Sequence, residues 1–383
     1  MQPDPKRRTG SRAPAGIPVA RPRLPTANAI LPYLRRIDRA AWYSNHGPLA
    51  QELQSRLAAN WGLERQDVAL LSNATSALTL ALLASGAEPG RKCLMPSWTF
   101  AASAGAAVQA GLVPHFMDVD PHTWALDPAA TLALAARHDV GAIMVVAPFG
   151  APLDLVAWDT VRRNAGISVV IDGAAAFDSL RARGPMPLGD CPVAVSLHAT
   201  KVFGIGEGGA LLCRDHAMME RVRRLAQFGF LGTRDSTLCG VNAKLSEYGA
   251  AVGLAGLDGW ADARTRWHVA ASRYRRLLPG TVALSPGFGT GWVSSTLNVV
   301  FPAEAPDGAL RAGGVETLRW WGPGCHAQPA YRDCARTAMP VTEDLARRTL
   351  GLPFWQDMSE AEIEHVCNTV GACEARIVER VAA

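Results

Sequence analysis

The stretch Ser196-Leu197-His198-Ala199-Thr200-Lys201-Val202-Phe203-Gly204-Ile205-Gly206-Glu207-Gly208-Gly209 decides how this chain is read. One lysine follows a Ser/His/Thr-rich turn and precedes four glycines. Apolar runs flank the whole, Val193-Ala194-Val195 before it and Ala210-Leu211-Leu212 after it. A charged side chain in such surroundings is normally paired or used for chemistry. Confined in a partly dry pocket, a lysine has its ammonium disfavoured, so its amine becomes nucleophilic near neutral pH. A Schiff-base lysine for pyridoxal phosphate needs that property. A surface lysine in a glycine-rich hairpin explains the same residues, and the segment alone leaves both readings open.

The chain around this stretch alternates. Apolar strands are expected at residues 68–72, 92–95, 113–118, 141–146, 167–172, 193–197 and 210–213. Helices are expected at 27–40, 49–61, 74–84, 101–110, 129–136 and 155–164. Strands that are apolar throughout, with helices between them, imply an α/β fold with a mostly parallel seven-stranded sheet covered on both faces. From Ser246 the pattern changes to one long helical run holding Trp260 and Trp267. A strand near 294–301 follows, then a terminal helix that opens after Ser359, with Glu362 completing a capping box. The expected organisation is therefore a flexible basic tail (1–28), a large domain (29–254) and a smaller C-terminal α+β domain (255–383).

Composition narrows the possibilities. A hydrophobic content of 49% over 383 residues supplies a full core, and a net charge of +4 is too mild to argue for nucleic acid. Much of that charge sits among prolines near the start, at Lys6, Arg7, Arg8, Arg12, Arg21 and Arg23, and reads as solvated tail. No apolar run of membrane-spanning length occurs, and no apolar segment follows the early basic cluster as it would in a secretory leader. Eight scattered cysteines without a Cys-x-x-Cys pair, and no His/Cys cluster, read as reduced thiols with no structural metal. The expectation is a cytoplasmic protein with no membrane or nucleic-acid partner.

Three further segments sit where strands end, which is where ligands of open α/β sheets bind. Ser72-Asn73-Ala74-Thr75-Ser76-Ala77 joins a strand to a helix; small residues and helix N–H groups make an anion site, and an ordinary N-cap accounts for them as well. Asp172 closes an apolar strand before Gly173-Ala174-Ala175-Ala176. It is either a partner for a cationic group, such as a protonated pyridine nitrogen, or a helix cap. Pro96-Ser97-Trp98-Thr99-Phe100 ends a third strand with two aromatics, suited to ring stacking or to core packing.

Taken together, these segments resemble the DegT/StrS family of pyridoxal-phosphate sugar aminotransferases, from about Leu31 to the C-terminus. The family pattern has six parts: an Asn-Gly-Pro loop, a Gly-Thr phosphate turn, Pro-x-x-Thr-aromatic, Glu-Asp-Ala-Ala-His/Gln, Ser-x-His-x-x-Lys with Gly-Glu-Gly-Gly, and Asn-x-Arg-x-Ser/Thr-Glu. Versions of all six occur here in order. The resemblance implies the fold type I architecture and pyridoxal phosphate held by Lys201 as the Schiff-base residue. It implies Asp172 at the pyridine nitrogen, Phe100 stacked on the ring, and Ala74, Thr75 and Ser196 at the phosphate. Asn242 would reach the phosphate of the neighbouring subunit, giving a homodimer with shared active sites. Asn45, Trp320, Trp321 and His326 would face a nucleotide-sugar substrate.

Two positions depart from the pattern. Ala175 stands where His or Gln is usual, and Lys244 where Arg is usual. The resemblance implies transfer of an amino group from L-glutamate to a 4-keto-6-deoxy nucleotide sugar. The product would be a 4-amino-4,6-dideoxy sugar nucleotide for surface polysaccharide (lipopolysaccharide, O-antigen) or glycosylated metabolites. Amination at C3 and a non-catalytic, cofactor-bound regulatory homologue are the alternatives.

Overall fold

Short runs of Val, Ile, Leu, Ala and Met form the strands because each is buried on both faces. In the computed structural model, which describes residues 16–137, 139–181, 188–230 and 232–382, seven of them make one sheet. They are β1 (Val68–Leu71), β2 (Lys92–Pro96), β3 (Val113–Met117), β4 (Val140–Val146), β5 (Ser168–Asp172), β6 (Val193–Ser196) and β7 (Gly209–Leu212). Their order is β1-β7-β6-β5-β4-β2-β3. The pairings β2–β3, β2–β4, β4–β5 and β5–β6 are parallel, whereas β7 runs antiparallel to both β6 and β1. The lysine loop is therefore a hairpin between β6 and β7.

This topology places the candidate segments on one edge. With β7 reversed between them, β1 and β6 point the same way, and so do β5, β4 and β2. All of them end at the same side of the sheet. Register sharpens this: Gly209 lies opposite Ser196 on one side and Leu71 on the other, and Asp172 lies opposite Ala194. Layers of apolar side chains cover the two sheet faces, one around Leu94, Ile143, Val169 and Phe203, the other around Leu78, Met144, Val170 and Leu211.

A second sheet is antiparallel, β8 (Ala283–Leu284), β9 (Leu297–Val300) and β10 (Thr349–Leu352), in the order β10-β9-β8. The helical run after Ser246 is two helices, Glu247–Asp258 and Trp260–Leu277, divided at Gly259. The terminal helix Glu360–Ala382 opens on the expected capping box: the Ser359 N–H donates to the Glu362 carboxylate at 2.8 Å, and the Glu362 N–H donates to Ser359 Oγ at 3.2 Å.

The expected flexible tail needs correction. Residues 1–15 lie outside the described residues, but 16–23 are held against residues 314–316 and 354–357. The backbone of Ile17 bridges to Val315, the Val19 N–H donates to Glu316 at 2.8 Å, and the Val19 carbonyl accepts from Phe354 N–H at 3.1 Å. Arg21 lies over the Trp355 ring at 4.5 Å and Arg23 pairs with Asp357. Alternating Ile17 and Val19 gave the strand signal; the surrounding prolines and arginines masked it.

Candidate active site

Lys201 is partly buried, and its Nζ makes no hydrogen bond among the described residues. Burial lowers its pKa from the ordinary lysine value, while the negative charge of Asp172 acts in the opposite direction. An amine so placed is closer to its neutral, nucleophilic form than a surface lysine. The loop that carries it is fixed by its own backbone and glycines. Lys201 N–H donates to His198 carbonyl at 2.9 Å, and Ile205 N–H to Leu197 carbonyl at 2.8 Å. A Cβ at Gly204 would meet the Ala199 carbonyl oxygen at 2.8 Å, and Gly206 has φ +98°. His198 Nδ1 lies 2.9 Å from Thr200 Oγ1 within the same turn.

Asp172 is buried at the end of β5. Burial raises its pKa; hydrogen bonds from Ser103 and Ala174 and the charge of Lys201 act against that rise. Oδ1 accepts the Ala174 N–H at 3.0 Å and Oδ2 accepts the Ser103 hydroxyl at 2.6 Å. Asp172 therefore caps its turn and is also near enough to Lys201 for the two charges to act on one another.

The turn after β1 is an N-cap that leaves helix N–H groups available to an anion. Asn73 Oδ1 accepts the Ser76 N–H at 2.7 Å, while Ala74 and Thr75 open helix Ala74–Ala84, whose first N–H groups have no partner within the helix. Gly209 is required here. A Cβ on it would sit 2.5 Å from the Asn73 carbonyl carbon and 2.7 Å from the Ala74 nitrogen, so only glycine lets β7 pass against the turn. Ser196, the β6 residue opposite Gly209, is buried and its Oγ accepts the His198 N–H at 3.2 Å.

The remaining candidates divide. Phe100 is 61% exposed at the start of helix Ala101–Gln109, beside these strand ends. Asn242 is exposed, bonds through Oδ1 to Lys244 Nζ at 2.7 Å, and makes no hydrogen bond to Lys201 or Asp172 among the described residues. Asn45 is exposed with φ +60°. Trp321 stacks on Phe149 at 3.9 Å and meets Trp98 edge-on at 5.3 Å. Trp320 packs where Gly351 leaves room for its indole. His326 is buried, with Nδ1 2.6 Å from Ser97 Oγ. Burial and Arg336 lower its pKa against the opposing pull of Glu343 and Asp118. Ala175 lies under the turn at Gly150, whose Cβ would fall 2.3 Å from the Ala175 carbonyl oxygen.

Two residues matter that were not among the candidate site residues: Glu247, the last residue of the Asn242 motif, and Ser103. Glu247 is buried, and its carboxylate accepts Leu49 N–H and Ala50 N–H, each at 2.8 Å. It thus caps helix Pro48–Trp61, which Gly47 leaves without a side-chain cap. Ser103, which bonds Asp172, stands four residues after Thr99, a spacing that places both on one side of a helix start. Among the described residues, no group of three or more His, Cys, Asp or Glu could hold a metal ion, and no helix is long and apolar enough to cross a membrane.

A partly buried lysine, a carboxylate at a neighbouring strand end, and a helix N-terminus packed on glycine along one sheet edge define a fold type I pyridoxal-phosphate enzyme. The cradle at Gly209 fits a phosphate, and the Lys201–Asp172 pair fits the reactive and ring-nitrogen ends of that cofactor. The chain belongs to the DegT/DnrJ/EryC1/StrS aminotransferase family, whose model matches residues 26–371, and it is a pyridoxal-phosphate-dependent transaminase. It is 31% identical to protein Mb3436c of Mycobacterium bovis, over 96% of this chain and 92% of that one. It is 30% identical to the dTDP-4-amino-4,6-dideoxy-D-glucose transaminase of Shigella dysenteriae, over 92% and 97%. The structure of DesI in the presence of its TDP-sugar product matches with a TM-score of 0.84 and 30% identity, covering 96% of this chain and 95% of that one.

Proposed function

We propose that this chain transfers an amino group from L-glutamate to a 4-keto-6-deoxy nucleotide sugar, yielding the 4-amino-4,6-dideoxy sugar nucleotide. The observation that carries the chemistry is Lys201, an amine with a burial-lowered pKa, acting beside the buried Asp172. The choice of sugar is supported by the likeness to the Shigella transaminase and to DesI.

Pyridoxal phosphate, when bound, supplies an electron-accepting ring that stabilises the carbon losing its proton. Lys201 Nζ would move a proton between the substrate carbon and the cofactor carbon within each half of the cycle, as a positioned base. Asp172 holds the proton on the ring nitrogen. Ala74, Thr75 and Ser196 hold the phosphate, and Phe100 lies against the ring. Asn242, exposed and bonded to Lys244, would serve the site of a second copy, so that two chains build each site. Asn45, Trp320, Trp321 and His326 shape the sugar-nucleotide side. Such an enzyme works in the cytoplasm, where nucleotide sugars are made.

The test is a panel of 3-keto and 4-keto nucleotide sugars incubated with glutamate and read by mass spectrometry. Conversion of a 4-keto sugar to the amine supports the proposal. Conversion of 3-keto sugars alone moves the reaction to C3, and no conversion of any of them contradicts the proposal.

A further inference from the structure

Asp172 is backed by a short line of hydroxyls. Ser103 Oγ lies 2.6 Å from Asp172 Oδ2, and Thr99 Oγ1 lies 2.8 Å from Ser103 Oγ. Ser103 and Thr99 are fully buried. The direction of the line follows from hydrogen counting. Ser103 has one hydroxyl hydrogen and uses it on the carboxylate, so Thr99 must donate to Ser103. With Asp172 protonated toward Ser103 the line would reverse. The Thr99 hydroxyl would then need an acceptor of its own, and none stands near it among the described residues. The arrangement favours the ionised carboxylate over an acid protonated on the oxygen that faces Ser103.

We infer that Ser103, supported by Thr99, is a positioning pair that keeps Asp172 ionised and fixes its orientation toward the cofactor ring. The inference rests on the reading of Asp172 as the partner of the ring nitrogen. Its physical basis is a contest between two effects. Burial penalises a carboxylate charge, whereas hydrogen bonds donated to the charged form favour it. The Ala174 N–H supplies one donor to Oδ1 at 3.0 Å and Ser103 the other, shorter one to Oδ2. Lys201 is the charged side chain that acts on Asp172, and its own burial weakens that help. Both hydroxyls are buried and bonded in line to Asp172, so both act through it.

The experiment titrates pyridoxal phosphate into the apoenzyme across the neutral pH range, following absorbance, for wild type, Ser103→Ala, Ser103→Thr, Thr99→Val and Asp172→Asn. Thermal unfolding of each apoprotein is followed in parallel. Loss of a hydrogen bond to a charged group predicts roughly tenfold or weaker cofactor binding by Ser103→Ala, with the gap widening as pH falls. Ser103→Thr restores binding, and Thr99→Val shows a smaller loss in the same direction. If Ser103→Ala does not fold, Thr99→Val carries the test through the same pH-dependent weakening. Binding by Ser103→Ala and Thr99→Val that matches wild type at every pH, while Asp172→Asn loses affinity, overturns the pair. An Asp172→Asn variant that binds normally shows instead that Asp172 does not serve the ring.

Discussion

Gly209 touches the backbone of Asn73 so closely that no side chain fits between them: a Cβ would lie 2.5 Å from the Asn73 carbonyl carbon and 2.6 Å from its oxygen. The strand that returns from the lysine loop and the turn that opens the proposed phosphate cradle are thus locked in direct contact. Gly209→Ala must push one from the other, at a cost of about 2 kcal/mol. Urea unfolding is expected to show that loss, and cofactor titration a weaker affinity, because the cradle is displaced. A variant with unchanged affinity and stability would mean that the contact does not shape the cradle.

Glu247 supplies the missing cap of helix Pro48–Trp61 from a distant part of the chain. Glu247→Gln replaces a carboxylate shared by two N–H groups with an amide that has one oxygen. The expected cost is about 1–2 kcal/mol in chemical denaturation. The loop containing Asn45 should also become more susceptible to protease, since a Glu247 backbone bond to Tyr43 and the capped helix hold its two ends. Equal stability and equal proteolysis would sink this account of the loop.

The His326 pair with Ser97 sets a pH dependence. The folded His326 resists protonation because it is buried, and a positive Arg336 adds to that resistance. The unfolded chain takes up the proton below about 6.5, so it binds more protons than the folded one there. Stability from this group is therefore present at neutral pH and is lost as pH falls. The stability margin of wild type over His326→Ala is expected to shrink from neutral to acid pH in denaturant titrations. A margin that grows in acid would contradict the buried, neutral histidine.

The proposal that two chains build each site predicts a particular complementation. Lys201→Ala and Asn242→Asp chains, each weak alone, are mixed under conditions where subunits exchange. If Lys201 and Asn242 of one site come from different chains, a heterodimer holds one doubly damaged site and one intact site. Activity should recover toward half of wild type per heterodimer. Confirmed exchange without recovery would show that each chain completes its own site.

Much of this was legible locally. The helices at 27–40 and 74–84 follow their sequence patterns residue for residue, and the strand ends at Leu71, Asp172 and Ser196 fall within a residue or so of expectation. Lys201, Asp172 and the Asn73 turn could be found because each lies in a contiguous motif at a strand end. Contacts made by folding were not visible. Ile17 and Val19 pair with residues near the other end of the chain, and proline-rich composition concealed it. Ser103 carried only a Thr-x-x-x-Ser spacing, and nothing in the sequence said which carboxylate it would meet. The direction of an aromatic was equally hidden: Trp321 lies flat on Phe149, a partner set by the left-handed turn at φ +51°.

The most direct test of the central claim uses the chain's scarcity of lysine. Only Lys6, Lys92, Lys201 and Lys244 are present, so borohydride reduction of the cofactor-loaded enzyme followed by peptide mapping has few possible answers. The account predicts one pyridoxyl-labelled peptide, containing Lys201, and no fixed label in Lys201→Ala. Label on Lys244, or label that persists in the Lys201→Ala protein, would contradict it.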